Sequence, residues 1–75
     1  MNIALKDIAK NQDFTIPIPR NKTVFQKLLG VGIIPNKTFR VLHKLKNGCI
    51  VIRANSVKVA LDGAMASQII VIPVN

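Results

Sequence analysis

The dipeptide Asn47-Gly48 constrains what this chain can fold into more than any other feature of it. Both residues tolerate positive φ, so the pair favours the type I′ turn of a two-residue β-hairpin, whose twist matches the strands it joins. Alternating apolar residues flank it, TFRVLHKLK before and CIVIRA after. A two-residue turn pairs Lys46 with Cys49, Leu45 with Ile50, Lys44 with Val51 and His43 with Ile52. Phe39, Val41, His43 and Leu45 are then expected on one face with Ile50 and Ile52, since a slip of one residue reverses every side chain. A second tight turn is expected at Asn55-Ser56, pairing Arg53 with Lys58, Ile52 with Val59 and Ile50 with Leu61. The inward set thereby extends through Val57, Val59 and Leu61.

The rest of the chain supplies the elements around these hairpins. ALKDIAK (4–10) suits a turn of helix or a bend. Phe14, Ile16 and Ile18 alternate with Thr15 and Pro17, which is strand periodicity. Pro17 and Pro19 have no backbone N–H, so that strand lies at an edge or leaves the sheet there. Asn21 is a good N-cap for one helix over residues 22–29, with Val24, Leu28 and Val31 along a stripe and Phe25 and Leu29 beside it. Gly30 and Gly32 stop the helix, and Pro35 prevents its resuming. After a short excursion at 62–66, residues 68–74 read as a last strand. Five short strands and one short helix predict a mainly β, SH3-like five-stranded barrel formed as a single domain by residues 1–75.

Composition agrees and narrows the function. Eleven Ile and eight Val among 75 residues favour a pleated, half-buried surface. The net charge of +8, from eleven Lys and Arg against Asp7, Asp13 and Asp62, creates a field that attracts phosphates, anionic lipid or acidic protein. One His, no Glu and no phosphate-cradling Gly-rich loop leave little for catalysis, so the chain reads as a binding module with no cofactor, not an enzyme. His43 and Cys49 are two potential metal ligands where a structural zinc site wants four, so no metal is expected. Without Trp or Tyr, polyproline and single-stranded nucleic-acid recognition lack their aromatic platforms. A basic nucleic-acid-binding barrel that uses phosphate contacts alone is the alternative reading. The single Cys49, the polar residues interrupting MNIALKDIAKNQD and the shortness of the apolar run at 69–74 predict a cytoplasmic protein.

The outer sheet face is the candidate partner surface. The expected register puts Arg40, Leu42, Lys44, Val51, Arg53 and Lys58 there. Arg53 directly opposite Lys58 is a like-charged pair that costs stability, so an anionic partner would give it a use.

The segment KLLGVGIIPNKTFRVL (27–42) resembles the pattern of the ferrous iron transport protein A (FeoA) family: a helix ending Leu-Leu-x-apolar-Gly, then apolar-x-Pro and a strand. Leu28, Leu29, Val31, Gly32, Ile33 and Pro35 occupy those places. IVIRANSVKVALDGAMASQIIV (50–71) is similar to the family's second signature through Val59, Ala60, Leu61, Ala66, Ile69 and Val71. Lys10-Asn11 replaces a common Pro-Gly turn, Asn36 and Asn55 stand where glycines are usual, and Asp62 where Arg is frequent. Asn is the next best residue at positive φ, so each Asn is expected to preserve its turn. The resemblance implies an SH3-like fold and a part in bacterial ferrous iron uptake alongside the membrane GTPase transporter FeoB, with no catalytic or metal-binding residues carried over. It also fits a basic face lying near the anionic inner surface of the cell membrane. The sheet edges leave room for a homo-oligomer.

Overall fold

The computed structural model describes residues 2–54 and 56–74. The chain forms β1 (Ile3–Ala4), β2 (Asp13–Thr15), α1 (Lys22–Gly30), β3 (Thr38–Lys44), β4 (Ile50–Ala54), β5 (Val57–Leu61), α2 (Gly63–Gln68) and β6 (Ile70–Val74), with a 3-10 turn at Leu5–Asp7. All strand pairs are antiparallel, in the order β1-β6-β2-β3-β4-β5. The principal extents are 27 × 27 × 25 Å. A flat sheet with neighbours about 4.8 Å apart would be much thinner in one direction, so this one curls around its core as an SH3-like barrel does. The expected fold class therefore holds, with two additions: the two-residue β1 and the helix α2, where the sequence suggests only a bend and an excursion.

Branched aliphatic side chains fill the interior, and no polar or charged residue is buried among the described residues. Phe14 and Phe39 are cross-strand partners with ring centroids 5.7 Å apart. β2 ends at Thr15, so the chain leaves the sheet before Pro17. Ile18 is accordingly 60% exposed, not inward as the alternation suggests.

The first hairpin corrects the expected register. Leu45 N–H donates to the Cys49 carbonyl at 2.9 Å and Gly48 N–H to the Leu45 carbonyl at 3.1 Å, with Gly48 at φ +90°. This is a three-residue loop, a turn followed by a left-handed glycine, in place of the two-residue turn that Asn-Gly suggests. Lys44 therefore pairs with Ile50 and His43 with Val51. A bulge at Leu42 then shifts the ladder again, so that Val41 pairs with Ile52, Arg40 with Arg53 and Phe39 with Ala54. The extra residue restores the facing of Phe39 and Val41, which are buried as expected. His43 and Leu45 are exposed instead of inward.

The second hairpin follows the expected pairs from Ile50–Leu61 to Arg53–Lys58. Its expected turn includes Asn55, which lies outside the described residues. Asn11 at φ +66° and Asn36 at φ +69° hold the left-handed turns expected of them.

The helix α1 runs one residue longer than expected and is closed at both ends. The Asn21 side chain accepts from the Thr23 and Val24 amides at 2.9 and 3.2 Å. At the other end Gly32 N–H bonds the Leu29 carbonyl and Ile33 N–H the Leu28 carbonyl, a Schellman closure around Gly32 at φ +87°. Leu28 and Ile33 are both fully buried, while Leu29 and Val31 are exposed. The helix is thus anchored on the barrel by Leu28, with half-buried Val24 packed against the same core. The shorter α2 is capped by Asp62, whose Oδ1 accepts from the Met65 amide at 2.8 Å.

Candidate interaction surface

Register places charge in a line across the outer face. Asp13 pairs with Arg40, Arg40 with Arg53 and Arg53 with Lys58, so one row of side chains crosses β2, β3, β4 and β5. Cross-strand partners share a face at about 4.5–5.5 Å between Cβ atoms. The row therefore runs from one anion through three cations.

Its anionic end is neutralised. Arg40 Nε donates to Asp13 Oδ1 at 2.6 Å and Arg40 Nη2 to Oδ2 at 3.3 Å, a forked contact. This hydrogen bonding holds the Asp13 carboxyl below the usual carboxylate range and raises Arg40 further. Arg53 and Lys58 have no ion-pair partner among the described residues. A shallow hollow of about 220 Å³ lies beside the pair, lined by Asp13, Thr38, Phe39, Arg40 and Arg53. Charge therefore faces solvent at the β4–β5 end of the row and is held at the β2 end.

The six residues singled out from the sequence do not stay together. Arg40, Arg53 and Lys58 form the row, and Val51 lies half-buried on the same face opposite His43. Leu42 is the half-buried bulge residue. Lys44 is turned away: it pairs with buried Ile50, and its Nζ donates to the Ile8 carbonyl at 2.8 Å. Its ammonium, on an exposed side chain, fastens the N-terminal segment to the end of β3.

Sequence reasoning also passed over two apolar hollows. One, of about 420 Å³, lies where the Pro17–Arg20 segment crosses α1 and β6, with Ile18 and Ile70 exposed at its wall. The proline-marked exit of the strand was the signal for it, because a strand that leaves the sheet uncovers its apolar residues. The other, of about 230 Å³, lies between Ile34 and Val57 over Phe39 and Ala54. No group of three His, Cys, Asp or Glu side chains converges on a common point among the described residues. Cys49 is a free, half-buried thiol.

The sequence profile described as the FeoA domain matches residues 3–73. A crystal structure of an iron uptake regulatory protein (FeoA) superposes with a TM-score of 0.82 at 24% identity, covering 99% of this chain and 100% of that one. The NMR structure of a FeoA-like protein from Clostridium acetobutylicum gives 0.80 at 18% identity, over 99% and 88% of the two chains. A manganese-dependent transcriptional repressor gives 0.81 at 21% identity, where this chain spans 97% of itself but 42% of the repressor. At these identities the superpositions speak to fold alone. No curated protein matches by sequence.

Proposed function

The chain belongs to the FeoA domain family, and from that premise we propose that it is a non-catalytic accessory protein of bacterial ferrous iron uptake that works by contact with the membrane GTPase transporter FeoB. The observation that carries this reading is the family match over residues 3–73, nearly the full described chain. The surface supports the mode of action. A cationic row in which Arg53 and Lys58 have no ion-pair partner among the described residues offers a protein partner electrostatic steering. No helix among the described residues is long and apolar enough to cross a membrane. In this reading the protein meets its partner on the cytoplasmic side, where the same cations favour the anionic inner surface of the cell membrane.

A nucleic-acid partner is the competing reading for so basic a barrel. All three Phe side chains are unsuited to stacking on bases: Phe14 and Phe39 are buried in the core and Phe25 is half-buried on α1. An NMR titration of labelled protein with the cytosolic GTP-binding domain of the transporter, run beside an RNA sample at near-physiological salt, decides between them. Shifts with the GTP-binding domain around Arg40, Arg53 and Lys58 support the accessory reading. Shifts with RNA alone, falling steeply with salt, overturn it.

A further inference from the structure

We propose that the open edge of β5 captures an extended acidic segment of a partner protein as an added strand. This deepens the accessory reading and rests on it for the protein that brings the segment. β5 ends the sheet order and, among the described residues, pairs with β4 alone. The direction of its backbone groups follows from the first hairpin. The Cys49 carbonyl accepts from Leu45, so Cys49, Val51 and Arg53 turn their polar backbone groups toward β3. Ile50, Ile52 and Ala54 then turn theirs toward Leu61, Val59 and Val57. Lys58 and Ala60 are left with N–H and C=O groups directed away from the sheet.

Such an edge is a template for pairing, and proteins commonly blunt theirs with bulges, prolines or extreme shortness. The opposite edge, β1, is two residues long. β5 has five residues, no proline and an unbroken register with β4. Its charge selects the occupant. Lys58 stands beside Arg53 on the outer face, and Lys37 lines the hollow on the other face. Of the nearby acids, Asp13 is engaged by Arg40 and Asp62 caps α2. A second copy of this chain would bring a further +8 to the same edge, whereas an acidic strand relieves it.

The two faces of the edge also differ in chemistry. Next to Lys58, Val57 is 58% exposed and faces Ile34, 59% exposed, across the hollow of about 230 Å³ floored by Phe39 and Ala54. Successive side chains of a strand point to opposite faces. The captured segment therefore carries an acidic residue beside Lys58 and an apolar one next to it, lowered into the Val57–Ile34 hollow.

The test uses the full chain, ¹⁵N-labelled, at near-physiological salt, with a capped heptapeptide of alternating Asp and Val as probe. The expected result is chemical-shift change confined to residues 57–61 and Ile34, with at least about tenfold weaker binding of the Lys-Val counterpart. Ala60→Pro removes an outward N–H without touching the β4 ladder, and it weakens capture by a similar factor, as does Lys58→Glu. Peptide shifts lying elsewhere, or capture indifferent to both variants, overturn the proposal. The cytosolic GTP-binding domain of the transporter is titrated in parallel. Its binding with unchanged affinity to both variants overturns strand capture while the accessory reading stands. Peptide capture at β5 without any response to that domain supports strand capture and removes the accessory reading.

Discussion

Asp13 and Arg40 face each other across β2 and β3 and are joined by two hydrogen bonds, of 2.6 and 3.3 Å. The contact fixes which part of the cationic row is available, because it occupies the guanidinium nearest the middle of the sheet, while Arg53 and Lys58 have no ion-pair partner among the described residues. It also links stability to acid. The Asp13 carboxyl is held below its ordinary range by the Arg40 hydrogen bond, so its contribution is present above the unfolded carboxylate value. That contribution is lost as pH falls through the folded value, that is, below about pH 4. Asp13→Asn is expected to lower the melting temperature slightly at neutral pH and by less in acid, read by circular dichroism. Because both side chains are solvent-exposed, the neutral-pH effect also shrinks as salt is added.

Lys44 and the Arg53–Lys58 pair separate the surface expected from the regular hairpin from the surface that the bulge creates. Lys44→Gln removes the hydrogen bond to the Ile8 carbonyl and is expected to cost about 0.5–1.5 kcal/mol of stability. It leaves partner affinity unchanged. The double substitution of Arg53 and Lys58 by Gln is expected to do the reverse: affinity falls about tenfold, roughly 1.4 kcal/mol, with stability constant or slightly raised as a like-charged pair is removed. Calorimetric titration against the transporter domain, together with urea unfolding, reads both quantities.

The contrast between these residues shows what was legible in the sequence. Alternation identified the strands other than β1, and all the pairs of the β4–β5 hairpin from Ile50–Leu61 to Arg53–Lys58, because a half-buried strand imposes a period of two on its sequence. Asn21 and Gly32 marked the limits of α1 through the chemistry of caps. A bulge leaves no such trace. Leu42 is an apolar residue in an apolar alternation, and nothing local distinguishes a paired residue from an extra one. Asn-Gly suggests the centre of a two-residue turn. Here Gly48 alone takes the positive φ, and that one-residue difference moved His43, Lys44 and Leu45 to other faces. The apolar hollow at Ile18 was hidden for a related reason: periodicity does not say where a strand parts from its neighbours.

Gly48 and Gly63 meet where the β3–β4 loop rests on the start of α2, and substitution by Ala is expected to act in opposite directions at the two positions. A Cβ on either would lie 3.5 Å from the other residue's backbone, an ordinary contact, so sterics do not decide the sign. Conformation does. Gly48 sits at φ +90°, where an L side chain costs about 1–2 kcal/mol, and Gly48→Ala should destabilise by that amount. Gly63 is the first residue of a helix, and Gly63→Ala should stabilise by about 0.5–1 kcal/mol through lower unfolded-state entropy. Chemical denaturation of the two variants measures this; equal signs would mean that the contact is tighter than the geometry indicates.

Leu28 is the fully buried anchor of α1, beside half-buried Val24, and its truncation should show how much of the attachment it carries. It is fully buried, and its carbonyl accepts the Ile33 amide at 2.8 Å in the closure of the helix. Leu28→Ala leaves a cavity and a weakened anchor, at a cost of about 2–4 kcal/mol. For a domain of this size, total stability is about 4–11 kcal/mol by the usual per-residue scale. Gly32→Ala acts on the same closure by another route: nothing lies within 4 Å of the added Cβ, so the loss of about 1–2 kcal/mol comes from φ +87° alone. Hydrogen exchange distinguishes local from global effects. If α1 is held mainly by Leu28, both variants accelerate exchange of the α1 amides more than that of β3 and β4. Equal acceleration in helix and sheet would show instead that the helix and the barrel unfold as one unit.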